Sequence, residues 1–405
     1  MTYVNNVLLK SVKDNFMNIL FTYPTLFNPI AGGVERVTDL LAREFGKRGH
    51  KVFYLNNKPN KVLEDYAFPG ILSYFPYPDY KDERNVSFYV DYLQKNDIDV
   101  IINQCGAFQD SILYNQRGNT KAKVVSVIHA RPSLNYDNLF SEISVLKKRG
   151  LKEIVKRIAR IAIYPKIKKD YLVRLQKHYA WLTSGNNTDR LVLLSDTFKN
   201  DLLALVDEID ENKLCSLPNP VSFEIEKIHS KSQTLLYVGR LDTGQKRVDR
   251  LVRIWGEVSH SMPDWNLKII GDGPDRMKLI NMAKNMERIS FLGFKDPALY
   301  YKEAAIMCMT SSHEGFPMVL MEAMSKGCVP IAFDSFSAIH DVIKDNRQLV
   351  RPFSLKEYVQ KLTTIMEDTN LRTELAHSGF QNVMNFKIDT IVNRWEVLFD
   401  SLIRD

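Results

Sequence analysis

The feature that most constrains this chain is a repeated alternation of short apolar runs, glycine- or proline-marked turns and helical stretches. Asn18-Ile19-Leu20-Phe21-Thr22 has strand character, and Pro24, Asn28 and Pro29 supply turn chemistry. Gly32-Gly33 follow, and then Val34, Val37, Leu40, Leu41 and Phe45 recur at helical spacing. Gly46 and Gly49 close that helix, and Val52-Phe53-Tyr54-Leu55 is the next strand. Strand, glycine turn, helix and strand in so short a span form a βαβ unit, which implies a parallel sheet.

Further strands are expected at residues 100–102, 124–128 and 191–194, with helical stretches between them. The pattern breaks at Leu217-Pro218-Asn219-Pro220, where two prolines flank an asparagine. A second series then begins, with strands expected at 235–239, 267–270, 289–292, 306–309 and 329–332. A chain of 405 residues has room for two domains. We therefore expect an α/β architecture of two facing Rossmann-like, doubly wound domains, residues 1–220 and 221–405. Ligands of such sheets bind at the carboxyl ends of the strands, so the site is expected in the cleft between the domains. The helical tail, residues 386–405, is either the last helix of the second domain or a segment that packs back on the first.

Chemistry concentrates in the second series. After the expected strand at 306–309 comes Ser311-Ser312-His313-Glu314-Gly315-Phe316-Pro317, then an apolar helical stretch holding Glu322 and ending near Gly327. Pro317 suits a helix start and Gly327 a helix stop. The backbone N–H groups of Phe316 and Met318 then lie at the positive end of a helix, where anions bind. Glu314 is suited to sugar hydroxyls or a developing positive charge, and Glu322 to the paired hydroxyls of a ribose. Alone, the two carboxylates fit equally a loop glutamate and a solvated helix glutamate. Arg240 and Lys246 bracket a strand-to-helix loop and suit a diphosphate. Gly32-Gly33 would let backbone N–H groups approach a phosphate, although glycines open helices for many reasons.

These stretches resemble the retaining glycosyltransferases of family 4, which have the two-domain fold called GT-B. The resemblance rests on Glu314-Gly315-Phe316-Pro317 with Glu322-Ala323-Met324, and on Val238-Gly239-Arg240-Leu241 with Lys246. Gly32-Gly33-Val34, Phe291-Leu292-Gly293-Phe294 and Leu217-Pro218-Asn219-Pro220 add to it, and it covers about residues 17–403. It implies that Arg240 and Lys246 hold the donor diphosphate and that Glu322 takes the ribose hydroxyls. It also implies that the Phe294 backbone meets the base, that Glu314 contacts the transferred sugar, and that Gly33 brings its N–H near the pyrophosphate. His129, after the strand at 124–128, matches a histidine that approaches the donor sugar; a histidine at a strand end is also commonly structural. The implied reaction moves a hexose-type sugar from a nucleotide-diphosphate sugar to a glycan or lipid-linked acceptor, as in bacterial surface polysaccharide assembly. Neither a cofactor nor a metal is implied. Asp97-Ile98-Asp99 looks like the metal-binding Asp-x-Asp of another glycosyltransferase fold, but it precedes a strand of the first series. Two departures stand out: Lys246-Arg247 where many members have Lys-Gly, and Asp334-Ser335-Phe336-Ser337 where a more glycine-rich loop is usual.

Charge adds one more feature. The formal net charge is +7, yet residues 147–177 hold twelve Lys/Arg against Glu153 and Asp170, so that segment is +10 and the remainder −3. Within it Leu151, Ile154, Val155, Ile158, Ile161 and Ala162 follow helical spacing. A basic amphipathic helix suits an anionic membrane surface; a solvated basic face is the other reading. No aromatic-interleaved basic repeat or nucleic-acid module accompanies it, which argues against a nucleic-acid partner. Four dispersed cysteines exclude a disulfide scaffold. The first sixteen residues do not read as a secretory leader and no apolar run reaches membrane-spanning length, so a cytoplasmic location, peripheral at the membrane's inner face, is expected. The competing class is a catalytically inactive nucleotide-sugar-binding or membrane-associated scaffold protein, against which the intact Arg240, Lys246, Glu314 and Glu322 argue.

Overall fold

The computed structural model describes residues 16–23, 28–29, 32–56, 66–77, 79, 82–107, 109–137, 139, 151–221 and 230–404. Residues 1–15, where a leader would fall, and 147–150, which open the basic segment, lie outside the described residues.

Two parallel sheets organise the chain. The first contains β1 (Asn18–Tyr23), β2 (Lys51–Asn56), β3 (Ile71–Tyr74), β4 (Val100–Asn103), β5 (Lys123–Ile128), β6 (Arg190–Leu193) and β7 (Leu214–Ser216), in the order β3-β2-β1-β4-β5-β6-β7. The second contains β8 (Ser232–Val238), β9 (Asn266–Ile270), β10 (Ile289–Phe291), β11 (Ala304–Met309), β12 (Val329–Phe333) and β13 (Leu349–Val350), in the order β10-β9-β8-β11-β12-β13. The expected doubly wound α/β class is what is found. Strands β4, β11 and β12 are buried along their whole length, which is why they read as unbroken apolar runs rather than alternating ones.

The described residues fall into two compact units. One comprises residues 1–127, 185–190 and 396–405, the other residues 128–184 and 191–395. In the first, Leu20, Phe53, Tyr89, Ile101 and Val124 share a core. The end of the last helix, Ile388–Arg404, belongs to this unit: the Phe399 ring lies 5.6 Å from Phe45, and Glu396 meets Arg48 at 2.8 Å and His50 at 3.1 Å. In the second unit, Tyr237, Trp255, Ile306 and Tyr358 anchor the core. Cys308 and Cys328 are buried there as free thiols, which burial pushes up to about 12.

Strand order fixes where a ligand would meet the second sheet. Strands β8 and β11 are neighbours, but their successors β9 and β12 lie on opposite sides of them. The carboxyl ends of β8 and β11 are therefore where the strand order reverses, the place at which doubly wound sheets take ligands.

The basic segment forms two helices, Leu151–Ala162 and Tyr164–Thr183, with Pro165 in the first turn of the second. Val155, Ile158, Ile161 and Ile163 are all exposed, at 65%, 62%, 36% and 53%. Among the described residues no helix is long and apolar enough to cross a membrane.

Candidate functional site

The loop after β8 carries Arg240 and Lys246, and a residue between them shapes it. Asp242 is buried, and its Oδ1 accepts the N–H groups of Gly244 (3.1 Å), Gln245 (2.7 Å) and Lys246 (3.0 Å). Its Oδ2 accepts from Arg240 Nε at 2.8 Å. Burial alone would raise this carboxyl; the Arg240 hydrogen bond and the N–H groups of Lys246 and Gln245 outweigh it and hold Asp242 below the usual carboxylate range. Arg240 Nη2 also donates to Gln245 Oε1 at 3.2 Å, and the arginine side chain stays 60% exposed. From the loop after β9, Asp275 Oδ2 accepts the N–H and hydroxyl of Thr243 at 2.6 and 2.8 Å. A Cβ on Gly271 would lie 1.9 Å from the Gly239 carbonyl oxygen, so the loops after β8 and β9 can approach this closely only without one.

The loop after β11 joins the first. Ser312 N–H donates to Gln245 O at 2.7 Å, and Gln245 Nε2 donates to His313 O at 3.3 Å. Lys246 Nζ bridges both carboxylate oxygens of Glu314, at 2.7 and 2.8 Å, with the two side chains 24% and 11% exposed. Burial lowers the neighbouring His313 imidazole, with Glu314 opposing. Gly315 packs on the backbone of His129, where a Cβ would lie 2.1 Å from the His129 carbonyl oxygen. The His129 side chain is half-buried with its Nδ1 enclosed, and that desolvation pushes its pKa down to about 4. Arg240, Lys246, Glu314 and His129 are thus brought to one region of the second unit.

The helix that follows runs Met318–Ser325 with Pro317 at its N-cap. The Met318 N–H, expected to face an anion, donates instead to Phe316 O at 2.9 Å, because the chain turns tightly at Pro317. The buried Phe316 ring packs on Phe386 at 5.7 Å. Glu322 is fully buried, and its Oε2 accepts from the equally buried Tyr301 hydroxyl at 3.0 Å. At the end of β10, Gly293 adopts φ +73° and accepts the Gly271 N–H at 2.8 Å. The adjoining Phe294 side chain is 76% exposed.

Gly32 and Gly33 belong to the first unit. Gly32 is the extended N-cap of the helix Gly33–Lys47, and a Glu35 carboxyl oxygen occupies the space a Gly32 Cβ would need. Burial raises the Glu35 carboxyl, opposed by hydrogen bonds from its own backbone and Tyr23. Asp97 and Asp99 both pair with Lys121 at 2.8 Å, and Asp99 also accepts the Asn18 N–H at 2.8 Å. That motif ties β1 and β4 together and has a structural use. Among the described residues no group of three or more His, Cys, Asp or Glu is gathered to hold a metal ion.

The two departures from the family pattern also acquire a place. Arg247 sits at φ +51°, ψ 45°, the left-handed conformation that glycine adopts without penalty, and its guanidinium forks onto Asp249 at 3.0 and 3.0 Å. Ser335 donates to Ser311 O at 3.1 Å, at the base of the Glu314 loop. Sequence reasoning missed Asp242, Gln245, Asp275 and Tyr301. Only Asp242 left a signal, since Asp followed at once by Thr and Gly commonly folds its carboxylate onto nearby backbone N–H groups.

Two family models match in succession, "Glycosyltransferase Family 4" over residues 31–224 and "Glycosyl transferases group 1" over residues 219–381. The chain belongs to glycosyltransferase family 4. As a family member it is a glycosyltransferase. An uncharacterized glycosyltransferase of Haemophilus influenzae is 24% identical over 380 residues, covering 90% of this chain and 96% of that protein. Lipopolysaccharide 1,6-galactosyltransferase of Salmonella typhimurium is 34% identical over 210 residues, covering 47% of this chain and 55% of that one. The crystal structure of Anabaena HepE in complex with UDP and glucose matches with a TM-score of 0.68 at 15% identity, covering 95% of this chain and all of that one. That likeness extends the GT-B fold to this family 4 chain.

Proposed function

We propose that this glycosyltransferase moves a hexose-type sugar from a nucleotide-diphosphate donor to a glycan or lipid-linked acceptor, with retention at the anomeric carbon, in surface polysaccharide assembly. The observation that carries the reading is the cluster of Arg240, Lys246 and Glu314 at the carboxyl ends of adjacent strands β8 and β11. The Salmonella relative's name, a lipopolysaccharide galactosyltransferase, and the UDP and glucose bound by HepE support it.

In this reading Arg240 and Lys246 hold the diphosphate, Glu314 meets the transferred sugar, and Glu322 takes the ribose hydroxyls. The Phe294 backbone faces the base, and His129 approaches the sugar. The acceptor oxygen attacks the anomeric carbon on the face that the phosphate leaves, and the acceptor's proton passes to a departing phosphate oxygen. Charge develops on that phosphate as the C–O bond breaks, and fixed cations stabilise it without reorganising. The nucleotide sugar is the only co-substrate; no cofactor or metal takes part.

The helix Leu151–Ala162 is assigned to an anionic membrane surface at the cytoplasmic face. Exposed Val155, Ile158 and Ile161 on a segment of net +10 are what such a surface attracts, at roughly 1 kcal/mol per basic residue near the headgroups. Sedimentation with phosphatidylglycerol vesicles should pellet the protein, and phosphatidylcholine vesicles should not; equal pelleting rejects the charge-driven contact. For the reaction, UDP-, GDP-, ADP- and dTDP-sugars are tested against lipid-diphosphate-linked and soluble glycan acceptors. Transfer from one of them is expected. Binding without transfer or hydrolysis across the whole panel would instead identify a nucleotide-sugar-binding scaffold.

A further inference from the structure

The donor loop contains a charged residue that the reaction as proposed does not use. Asp242 lies between the two cations in sequence and touches the machinery of both. One carboxylate oxygen gathers three consecutive backbone N–H groups, the last being that of Lys246, so it sets where the lysine side chain departs from the loop. The other oxygen takes Arg240 Nε at 2.8 Å. Gln245 Oε1, in the same loop, holds Arg240 from the Nη2 side at 3.2 Å. With Nε and one Nη2 proton engaged inside the loop, the far end of the guanidinium points out from it on a side chain that is 60% exposed. A free arginine samples many rotamers; this one is held at two points within its own loop.

We propose that Asp242 is a positioning residue for the donor diphosphate, orienting Arg240 through one oxygen and fixing the backbone origin of Lys246 through the other. The inference rests on the diphosphate assignment above and deepens it. The physical basis is preorganisation: a guanidinium already fixed loses less freedom on meeting a phosphate, and its charge is in place when the leaving group develops its own. Carboxylate is needed rather than amide because both oxygens accept. In an asparagine whose Oδ1 still gathers the loop N–H groups, Nδ2 presents N–H to Arg240 Nε–H, donor against donor. Asp242→Asn therefore separates the hold on Arg240 from the loop's own fold, whereas Asp242→Ala removes both.

The test is a double-mutant cycle. Binding of UDP, GDP, ADP and dTDP is measured by titration calorimetry, and steady-state transfer is measured with the donor found active, for wild type, Asp242→Asn, Arg240→Ala and the double variant. Circular dichroism and melting curves accompany each protein. Asp242→Asn is expected to weaken diphosphate binding and lower kcat/KM by about 10- to 100-fold, the range of a lost hydrogen bond to a charged group. In the Arg240→Ala background the same substitution should lose less than about threefold, because its target is gone. A merely structural aspartate would lose the same factor in both backgrounds, and that result overturns the proposal. So does a wild-type Asp242→Asn beside a disabled Arg240→Ala. If Arg240→Ala itself binds and transfers normally, the diphosphate assignment has failed first. Binding of the free nucleoside, with no phosphate, should be equal in wild type and Asp242→Asn; loss there also counts against a role exerted through the cations.

Discussion

Glu314→Gln is expected to bind nucleoside diphosphate more tightly than the wild type while losing transfer. Lys246 Nζ is shared between both Glu314 oxygens at 2.7 and 2.8 Å, in a site where neither side chain is more than a quarter exposed. Two unit charges at that separation attract by about 6 kcal/mol at an effective dielectric near 20. Most of this is offset by removing both groups from water, which leaves about 1.5–3 kcal/mol for a charged hydrogen-bonded pair. An incoming diphosphate must draw Lys246 away from Glu314 or sit beside a negative carboxylate, so either way it meets that energy. Replacing the carboxylate by a neutral amide of the same size removes it. The expected gain in affinity is about 10- to 150-fold at 1.4 kcal/mol per tenfold. Without nucleotide the variant should melt lower, since a half-buried lysine has lost its counter-charge. Calorimetric titration of wild type and Glu314→Gln with the nucleoside diphosphate that the wild type binds is the assay. Unchanged or weaker binding in the variant would refute the competition between Glu314 and phosphate for Lys246.

Arg240→Ala and Lys246→Ala should each lower transfer by about 100- to 1,000-fold, the loss typical of a charge-stabilising donor, with circular dichroism unchanged. Gly315→Ala forces a Cβ to within 2.1 Å of the His129 carbonyl oxygen, so a destabilisation of about 1–3 kcal/mol and a lower Tm are expected; an unchanged Tm would mean the contact yields freely. His129 titrates near 4 when folded against about 6.5 when unfolded, so the unfolded chain takes its proton first as pH falls. Its contribution to stability is full above about pH 6.5 and is lost progressively between there and 4, on the order of 3 kcal/mol in all; His129→Gln should flatten that part of the pH–stability curve. Arg247→Gly relieves a left-handed arginine and forfeits its pairing with Asp249, so full activity and a gain of no more than about 1 kcal/mol are expected in chemical denaturation.

Much of the fold was legible because parallel strands buried on both faces produce dense apolar runs. Strands β4, β5, β8, β11 and β12 each announced themselves in this way, to within three residues at their ends. Strands β3, β7 and β13 did not: no residue of β3 is fully buried, only Leu214 of β7 is, and β13 has two residues, so none leaves a dense apolar run. The same division holds at the site. Arg240, Lys246, Glu314 and Glu322 carry chemistry that their residue types suggest. Asp242, Gln245 and Tyr301 act by holding others, and which neighbour a side chain holds depends on loop geometry that no spacing rule encodes. Met318 shows the converse failure: a helix start predicted an outward amide, and the turn at Pro317 gave that amide an internal acceptor.

The exposed Val155, Ile158, Ile161 and Ile163 have a practical consequence for anyone handling this protein. Branched apolar side chains left in water seek each other, while the lysines and arginines around them repel. Low salt then keeps molecules apart, whereas concentrated sulfate or phosphate both screens the repulsion and strengthens apolar contact. Ammonium sulfate precipitation and phosphate-rich crystallisation drops are therefore the conditions most apt to drive self-association, and a mild non-ionic detergent in dilute buffer is the condition that prevents it.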